Sequence, residues 1–306
     1  MMSATMMLNW VPNPEHVALF YALDHGYFSD EGLDLKVETP GNATDTMKLV
    51  ATNRADIGIS FEPALFIANE QGLPITAVET SVPVPLDSLI ALPESGIQSP
   101  SDLAGKKVGN DGLPNDEAVY QTALKTGGLT PDQVTEIQVG FNLVTSLLSH
   151  KVDAIVGGFR NVEAIQIEQQ TGEKPVVLSA DQLGVPSYSE DVIIANADRL
   201  ASESDYAELI RRFTAGLAKG IDGVAQDQAG AINVMQDHTE DTPAFLKASV
   251  PFTISLLAPP NGQKAGCLDE ANWQNLGDWM KASDLINEQP DASTVMTNDY
   301  MPYACA

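Results

Sequence analysis

Through its first 180 residues the chain repeats one order: a short apolar strand-like run, a helical segment, then another apolar run. Residues 6–10 (MMLNW), 33–40 (LDLKVETP), 55–60 (ADIGIS) and 74–80 (PITAVET) read as strands. Residues 15–28, 44–53 and 63–71 between them read as helices, with Gly26 and Gly72 as stop signals. Strands separated by helices cannot form tight hairpins, so this order predicts a parallel sheet with helices on both faces. A second series follows. Strands are expected at 87–92, 106–110, 134–140, 152–159 and 174–180, with helices at 115–128, 142–151 and 162–172. After a further strand at 190–196 the pattern turns helical: 205–227, 229–238, 242–251 and 270–286.

Two α/β series in 306 residues fit two domains better than one core. The short strands LIAL and DVIIAN flank the middle series, where they can act as crossover segments. The expected architecture is two lobes joined by two crossover strands. Residues 1–89 plus 193–306 form lobe I, residues 90–192 form the inserted lobe II, and a cleft lies between them. Ligands of such sheets sit beyond the carboxyl ends of the strands.

Charge and composition exclude several functions. Acids outnumber bases 42 to 16, and a net charge of −26 repels phosphate backbones, so no nucleic-acid partner is expected. A hydrophobic content of 43% fits a folded chain, and no run of 18 apolar residues occurs. MMSATMM at the start has neither a basic n-region nor a long apolar core, so it does not read as a signal peptide. Cys267 and Cys305 show no zinc spacing. A bond between them would staple the C-terminal tail and place the protein outside the cytoplasm; two free thiols are the alternative. No nucleophile elbow, HExxH, Walker lysine loop or GxGxxG occurs, so no catalytic residue, metal ligand or cofactor is assigned.

The candidate binding residues lie at strand ends. In LNWVPNPEHVALFYALDHGYF, Trp10 falls after the first strand and offers a stacking wall. Asn9 beside it supplies a donor and an acceptor, and Pro12 and Pro14 stiffen the turn. His16 falls at a helix start, where imidazolium is disfavoured, so it reads as a neutral hydrogen-bonding group. Glu62, Glu163 and Glu190 follow or precede strand ends, and Phe159 and Tyr188 can form a second aromatic wall. Arg160 is placed to orient Glu163. In NDGLPNDEAVY, Asn115 opens a helix, either as a cap or beside a ligand. Asp111, Asp116 and Glu117 around it favour an uncharged or cationic group over an anion.

These segments resemble a known family. LNWVPNPEHVALFYALDHGYFSDEGLDL is similar to the start of the substrate-binding proteins of ABC importers, and more narrowly of those that bind the pyrimidine precursor of thiamine. RADIGISFEPAL, KVDAIVGGFRNVEAIQIEQ and TVMTNDYMP extend the resemblance over nearly the whole chain. It implies the type II periplasmic-binding-protein fold, a Venus-flytrap architecture. It also implies a monomer, periplasmic or membrane-anchored at the cell surface, that delivers a small heteroaromatic ligand to a membrane permease. An aminopyrimidine is expected, and riboflavin is the nearest rival. The same superfamily includes an enzyme that builds the thiamine pyrimidine from pyridoxal phosphate and a histidine of its own chain. The resemblance puts Ser60 and Ala64 at the positions of that enzyme's cofactor lysine and donor histidine, and its cysteine-rich run has no counterpart near 185–194. Serine cannot form a Schiff base and alanine has no ring to donate, so an enzymatic role is not expected.

Overall fold

The computed structural model describes residues 1–41, 45–112, 114–140, 142–259 and 262–305, leaving the side chains of Pro114 and Asn115 aside. The chain divides into two compact units, Met1–Val84 with Tyr188–Ala306, and Pro85–Ser187. The first unit opens with β1 (Met2–Met7), α1 (Val17–Asp24), α2 (Tyr27–Asp30), β2 (Leu33–Glu38), α3 (Asp45–Ala51), β3 (Ile57–Ser60), α4 (Glu62–Glu70) and β4 (Ile75–Val82). The second unit holds β5 (Asp87–Ala91), β6 (Lys107–Asn110), α5 (Pro114–Thr126), β7 (Thr135–Gln138), α6 (Leu143–Leu148), β8 (Ala154–Phe159), α7 (Glu163–Thr171) and β9 (Val176–Ser179). The chain then returns to the first unit as β10 (Asp191–Asn196), α8 (Ala197–Ser202), α9 (Ser204–Gln226), α10 (Gln228–His238), α11 (Pro243–Leu256) and α12 (Glu270–Ala282). This is the two-unit α/β architecture of the periplasmic-binding-protein fold.

Each unit is built on one five-stranded sheet, in the orders β2-β1-β3-β10-β4 and β7-β6-β8-β5-β9. Neither sheet is wholly parallel, as the strand–helix alternation predicts. β10 runs antiparallel between β3 and β4, and β5 runs antiparallel between β8 and β9. The reason is the route of the chain. A strand that arrives from the other unit has no helical crossover to reverse it, so it is free to pair antiparallel. β4 and β10 are buried along their whole length, which explains why their sequences read as continuous runs without alternation.

The helices of the first unit pack through their apolar stripes. On α9, Leu209, Ile210, Phe213, Leu217, Ile221 and Val224 recur at helical spacing and are all buried. Phe213 stacks on Phe28 at 5.2 Å between ring centres. The expected helix over 15–28 is divided. A 3-10 turn, Pro14–His16, precedes α1, and Gly26 in the left-handed region (φ 74°) separates α1 from α2. The first strand also starts and ends earlier than the apolar run MMLNW indicates, which leaves Asn9 and Trp10 in the following turn. In the second unit, Ile90, Leu147, Val152, Ile155 and Ile167 form the centre of a buried cluster.

The C-terminal segment covers β4, an edge strand of its sheet. Ala77 donates its N–H to the Val295 carbonyl (2.8 Å), Thr297 donates to the Ala77 carbonyl (2.9 Å), and Thr80 donates to the Gly266 carbonyl (2.9 Å). An open edge would invite pairing with other chains, and these bonds close it. A disulfide between Cys267 and Cys305, with Cα atoms 5.6 Å apart and 38 residues of separation, ties this cover down. Among the described residues, no helix is long and apolar enough to cross a membrane.

Candidate functional site

In the first unit β1, β3 and β4 share one direction and β10 opposes them. The carboxyl ends of the first three and the amino end of β10 therefore meet at one edge of the sheet. The residues just beyond that edge are Asn9 to His16, Phe61 and Glu62, and Tyr188 to Asp191.

The turn after β1 is organised by its own side chains. Asn13 caps the 3-10 turn, with its side-chain oxygen accepting from the Glu15 N–H at 2.9 Å. The Asn13 N–H donates to Nδ1 of His16 (3.2 Å), and Nε2 of His16 lies 2.8 Å from Oδ1 of Asn9. An amide oxygen only accepts, so the proton is assigned to Nε2 and the ring is the neutral tautomer. Burial drives the His16 pKa down to about 3, which agrees with that assignment. The approach of Nε2 to Glu15 Oε1 at 3.4 Å is accordingly not an ion pair.

Asn9 is the hub of this turn. Its amide nitrogen donates to Glu15 Oε1 (3.2 Å) and to Asp191 Oδ1 (3.0 Å), joining the turn to the start of β10. All four side chains, Asn9, Glu15, His16 and Asp191, are buried. Burial raises the Asp191 carboxyl well above the usual range, and the charges of Glu15 and Glu190 push it further in the same direction. Oδ2 of Asp191 has no hydrogen-bond partner among the described residues. The edge therefore concentrates three carboxyl groups, those of Glu15, Glu190 and Asp191. Such a set suits a group that donates hydrogen bonds or carries positive charge.

Tyr188 and Glu190 are buried at this same edge, and Trp10 is half-buried. Glu62, expected from sequence as a ligand-facing acid, is also fully buried at this edge. Its Oε2 accepts from the Ser189 N–H at 2.6 Å. Glu15, Asp191 and Ser189 were not singled out by sequence. Glu15 reads as an ordinary acid at a helix start and Asp191 as the first residue of a strand; neither has a local signal that names its partner.

In the second unit, β6, β8 and β9 run together and β5 opposes them, so Asn110, Phe159 and Asp87 lie at one edge. Phe159 is half-buried and donates its N–H to Glu163 Oε2 at 2.8 Å, which fixes the glutamate at the start of α7. The Arg160 N–H bonds the Leu86 carbonyl (3.1 Å). Gly157 is in the left-handed region, and a Cβ there would lie 2.5 Å from Asp116 Oδ2. The Asp116 carboxylate therefore needs a glycine beside it. Asn110 donates to Glu136, whose carboxyl is raised by burial and then by its neighbour Glu117. The start of α5 is thus as acidic as its sequence suggests. The side chain of Asn115 lies outside the described residues. Among those described, no group of three or more His, Cys, Asp or Glu side chains is arranged to hold a metal.

Comparison with known proteins gives the family. A family model described as NMT1/THI5 like matches residues 13–231. The chain belongs to the NMT1/THI5-like family. A formylaminopyrimidine-binding protein of Halalkalibacterium halodurans is 31% identical over 290 residues, covering 93% of this chain and 86% of that protein. A 4-amino-5-hydroxymethyl-2-methylpyrimidine phosphate synthase of Legionella pneumophila is 26% identical, covering 97% of this chain and 92% of that enzyme. Among solved structures, the periplasmic aliphatic sulphonate binding protein SsuA of Escherichia coli superposes with a TM-score of 0.74. That match covers 98% of this chain and 99% of the other at 13% identity, and shows a shared fold.

Proposed function

We propose that this chain is the extracytoplasmic binding protein of an ABC importer and that it takes a thiamine pyrimidine precursor, an aminopyrimidine with a short substituent at carbon 5. The observation that carries the ligand class is the acceptor-rich edge of the first unit, where Asn9, Glu15, Asp191 and Glu190 converge beside Trp10. An aminopyrimidine presents an exocyclic amine and a ring nitrogen that can be protonated, and carboxyl groups can accept from both. Trp10 and Tyr188 would flank the ring. A sulfonate would meet three acids at this edge, so the fold shared with sulfonate-binding proteins does not extend to their ligand.

Binding without chemistry is the reading the residues favour over synthesis. Ser60 ends β3 and Ala64 lies on α4, and neither can form an imine or donate an imidazole. Placement outside the cytoplasm is supported by the disulfide between Cys267 and Cys305. Anchoring at the membrane and action as a monomer complete the proposal.

The test is titration calorimetry with formylaminopyrimidine, together with native mass spectrometry of the purified protein to find a co-purifying heterocycle. The expected result is saturable binding that Trp10→Ala and Glu190→Ala each weaken at an unchanged circular dichroism spectrum. Unchanged affinity in both variants would remove the site. An imine absorbance on adding pyridoxal phosphate would favour the enzyme instead.

A further inference from the structure

Glu62 is a sequence-predicted acid that bonds the chain across its own sheet edge. The ladder between β3 and β10 ends at the pair Ser60 and Val192. Beyond that pair the two chains part, one entering α4 and the other leading back through Ser189. Glu62 continues the zipper past the last ladder pair. Its N–H donates to the Ser189 carbonyl at 3.4 Å, and its Oε2 accepts from the Ser189 N–H at 2.6 Å. Its other oxygen, Oε1, has no hydrogen-bond partner among the described residues. Ser189 lies between Tyr188 and Glu190, so whatever holds it also sets the direction of both neighbours.

We propose that Glu62 is a positioning residue that acts on the ligand through Ser189, clamping the segment Tyr188–Asp191 so that Glu190 and Asp191 stand ready at the edge of the first unit. The inference rests on the proposed pyrimidine site at that edge. It adds a residue that holds the site and does not touch the ligand.

Burial pushes the Glu62 carboxyl up to about 8; hydrogen bonds from the backbone and side chain of Ser189 pull it down, and the charge of Asp269 adds a smaller upward push. The charged groups on the elements around it are Glu70 on α4, Asp269 at the N-cap of α12 with Glu270, Asp278 and Lys281 on that helix, Glu79 on β4, and Glu190 and Asp191 on the clamped segment itself. Ionisation would place a further negative charge among these groups with Ser189 as its donor. The Ser189 bonds favour the carboxylate, so ionisation tightens the hold on Ser189 while adding charge beside Asp269. A glutamine keeps an acceptor for the Ser189 N–H and cannot ionise, so it separates the clamp from its charge.

Two measurements on the full chain decide the matter. Hydrogen exchange of residues 187–192 in the ligand-free protein reads the clamp directly, at pH 7 and pH 9 after correction for intrinsic rates. Calorimetry with formylaminopyrimidine at the same pH values reads its effect on binding. In Glu62→Ala, exchange of this segment is expected to rise and affinity to fall by about tenfold at pH 7, the loss of one buried charge-free hydrogen bond. Glu62→Gln is expected to stay within about threefold of the parent at pH 7. Corrected exchange of the segment should slow between pH 7 and pH 9 in the parent and not in Glu62→Gln. Equal exchange and equal affinity in the parent and Glu62→Ala would overturn the proposal. So would weaker binding in Glu62→Ala with unchanged exchange, since that outcome means direct contact with the ligand. Identical pH profiles in the parent and Glu62→Gln would overturn the charge-sensitive form of the clamp. If the parent fails to bind formylaminopyrimidine, the functional reading falls, and the exchange data still decide whether Glu62 holds Ser189.

Discussion

Glu79 offers the sharpest test of the energetics. It lies in the middle of β4 opposite Ile193 and is fully buried. A Cβ on Gly266 would come within 2.8 Å of its Oε1, so the carboxyl is pressed against the C-terminal cover. Neither carboxyl oxygen has a hydrogen-bond partner among the described residues. Burial raises its pKa well above the ordinary value. The native state therefore keeps a proton that the unfolded chain releases near pH 4.3, the ordinary glutamate value of about that size. A group with a raised acid pKa stabilises less as pH rises: between the unfolded and folded values the native state binds more protons, and stability falls by about 1.4 kcal/mol per pH unit. Glu79→Gln removes this dependence at nearly constant shape. Urea unfolding of both proteins at pH 5.5, 6.5 and 7.5 should show the variant gaining on the parent at each step, by no more than that slope. Taking the difference cancels the contributions of Asp191 and Glu62, which both proteins share. Parallel stability profiles would show that Glu79 is solvated or paired, and the burial argument would fail.

Other outcomes follow from the same geometry. Asp191→Asn keeps an acceptor for the Asn9 amide but removes a carboxyl from the edge, and it should weaken formylaminopyrimidine binding by about tenfold or more in calorimetry at an unchanged circular dichroism spectrum. Cys267→Ser with Cys305→Ser opens a loop of 38 residues' separation, which loop-closure entropy values at about 4 kcal/mol, read as a lower urea midpoint than the oxidised parent. Gly220→Ala would set a Cβ 2.3 Å from the Ala18 carbonyl oxygen where α9 crosses α1, and should cost about 1–3 kcal/mol of stability in the same assay.

The sequence carried the strand–helix order well because each element buries a face of its own. The runs ADIGIS and PITAVET became β3 and β4, and the helix stop at Gly72 lies just past α4. Boundaries were less legible where polar groups compete with periodicity. MMLNW continues an apolar run past the true end of β1, because Leu8 is buried without belonging to the strand. Asn196 caps α8 by accepting from the Arg199 N–H at 3.1 Å, and that short helix has too few apolar turns to announce itself. The antiparallel course of β5 and β10 was not legible either. Apolar spacing reports which faces are buried and says nothing of direction.

Local chemistry along the chain settled the stiffened turn of Pro12 and Pro14 and the family to which the chain belongs, whereas the neutral state of His16 comes from its burial. Only tertiary structure brought Asn9 to Asp191 and Glu62 to Ser189. The physical reason is the range of the signals. Hydrophobic periodicity and capping describe neighbours a few residues apart, whereas the edge of the first unit is assembled by a strand that returns after the whole second unit. Its hydrogen bonds join residues that no local pattern relates, and burial in that assembly is what moves the protons on the acids it gathers.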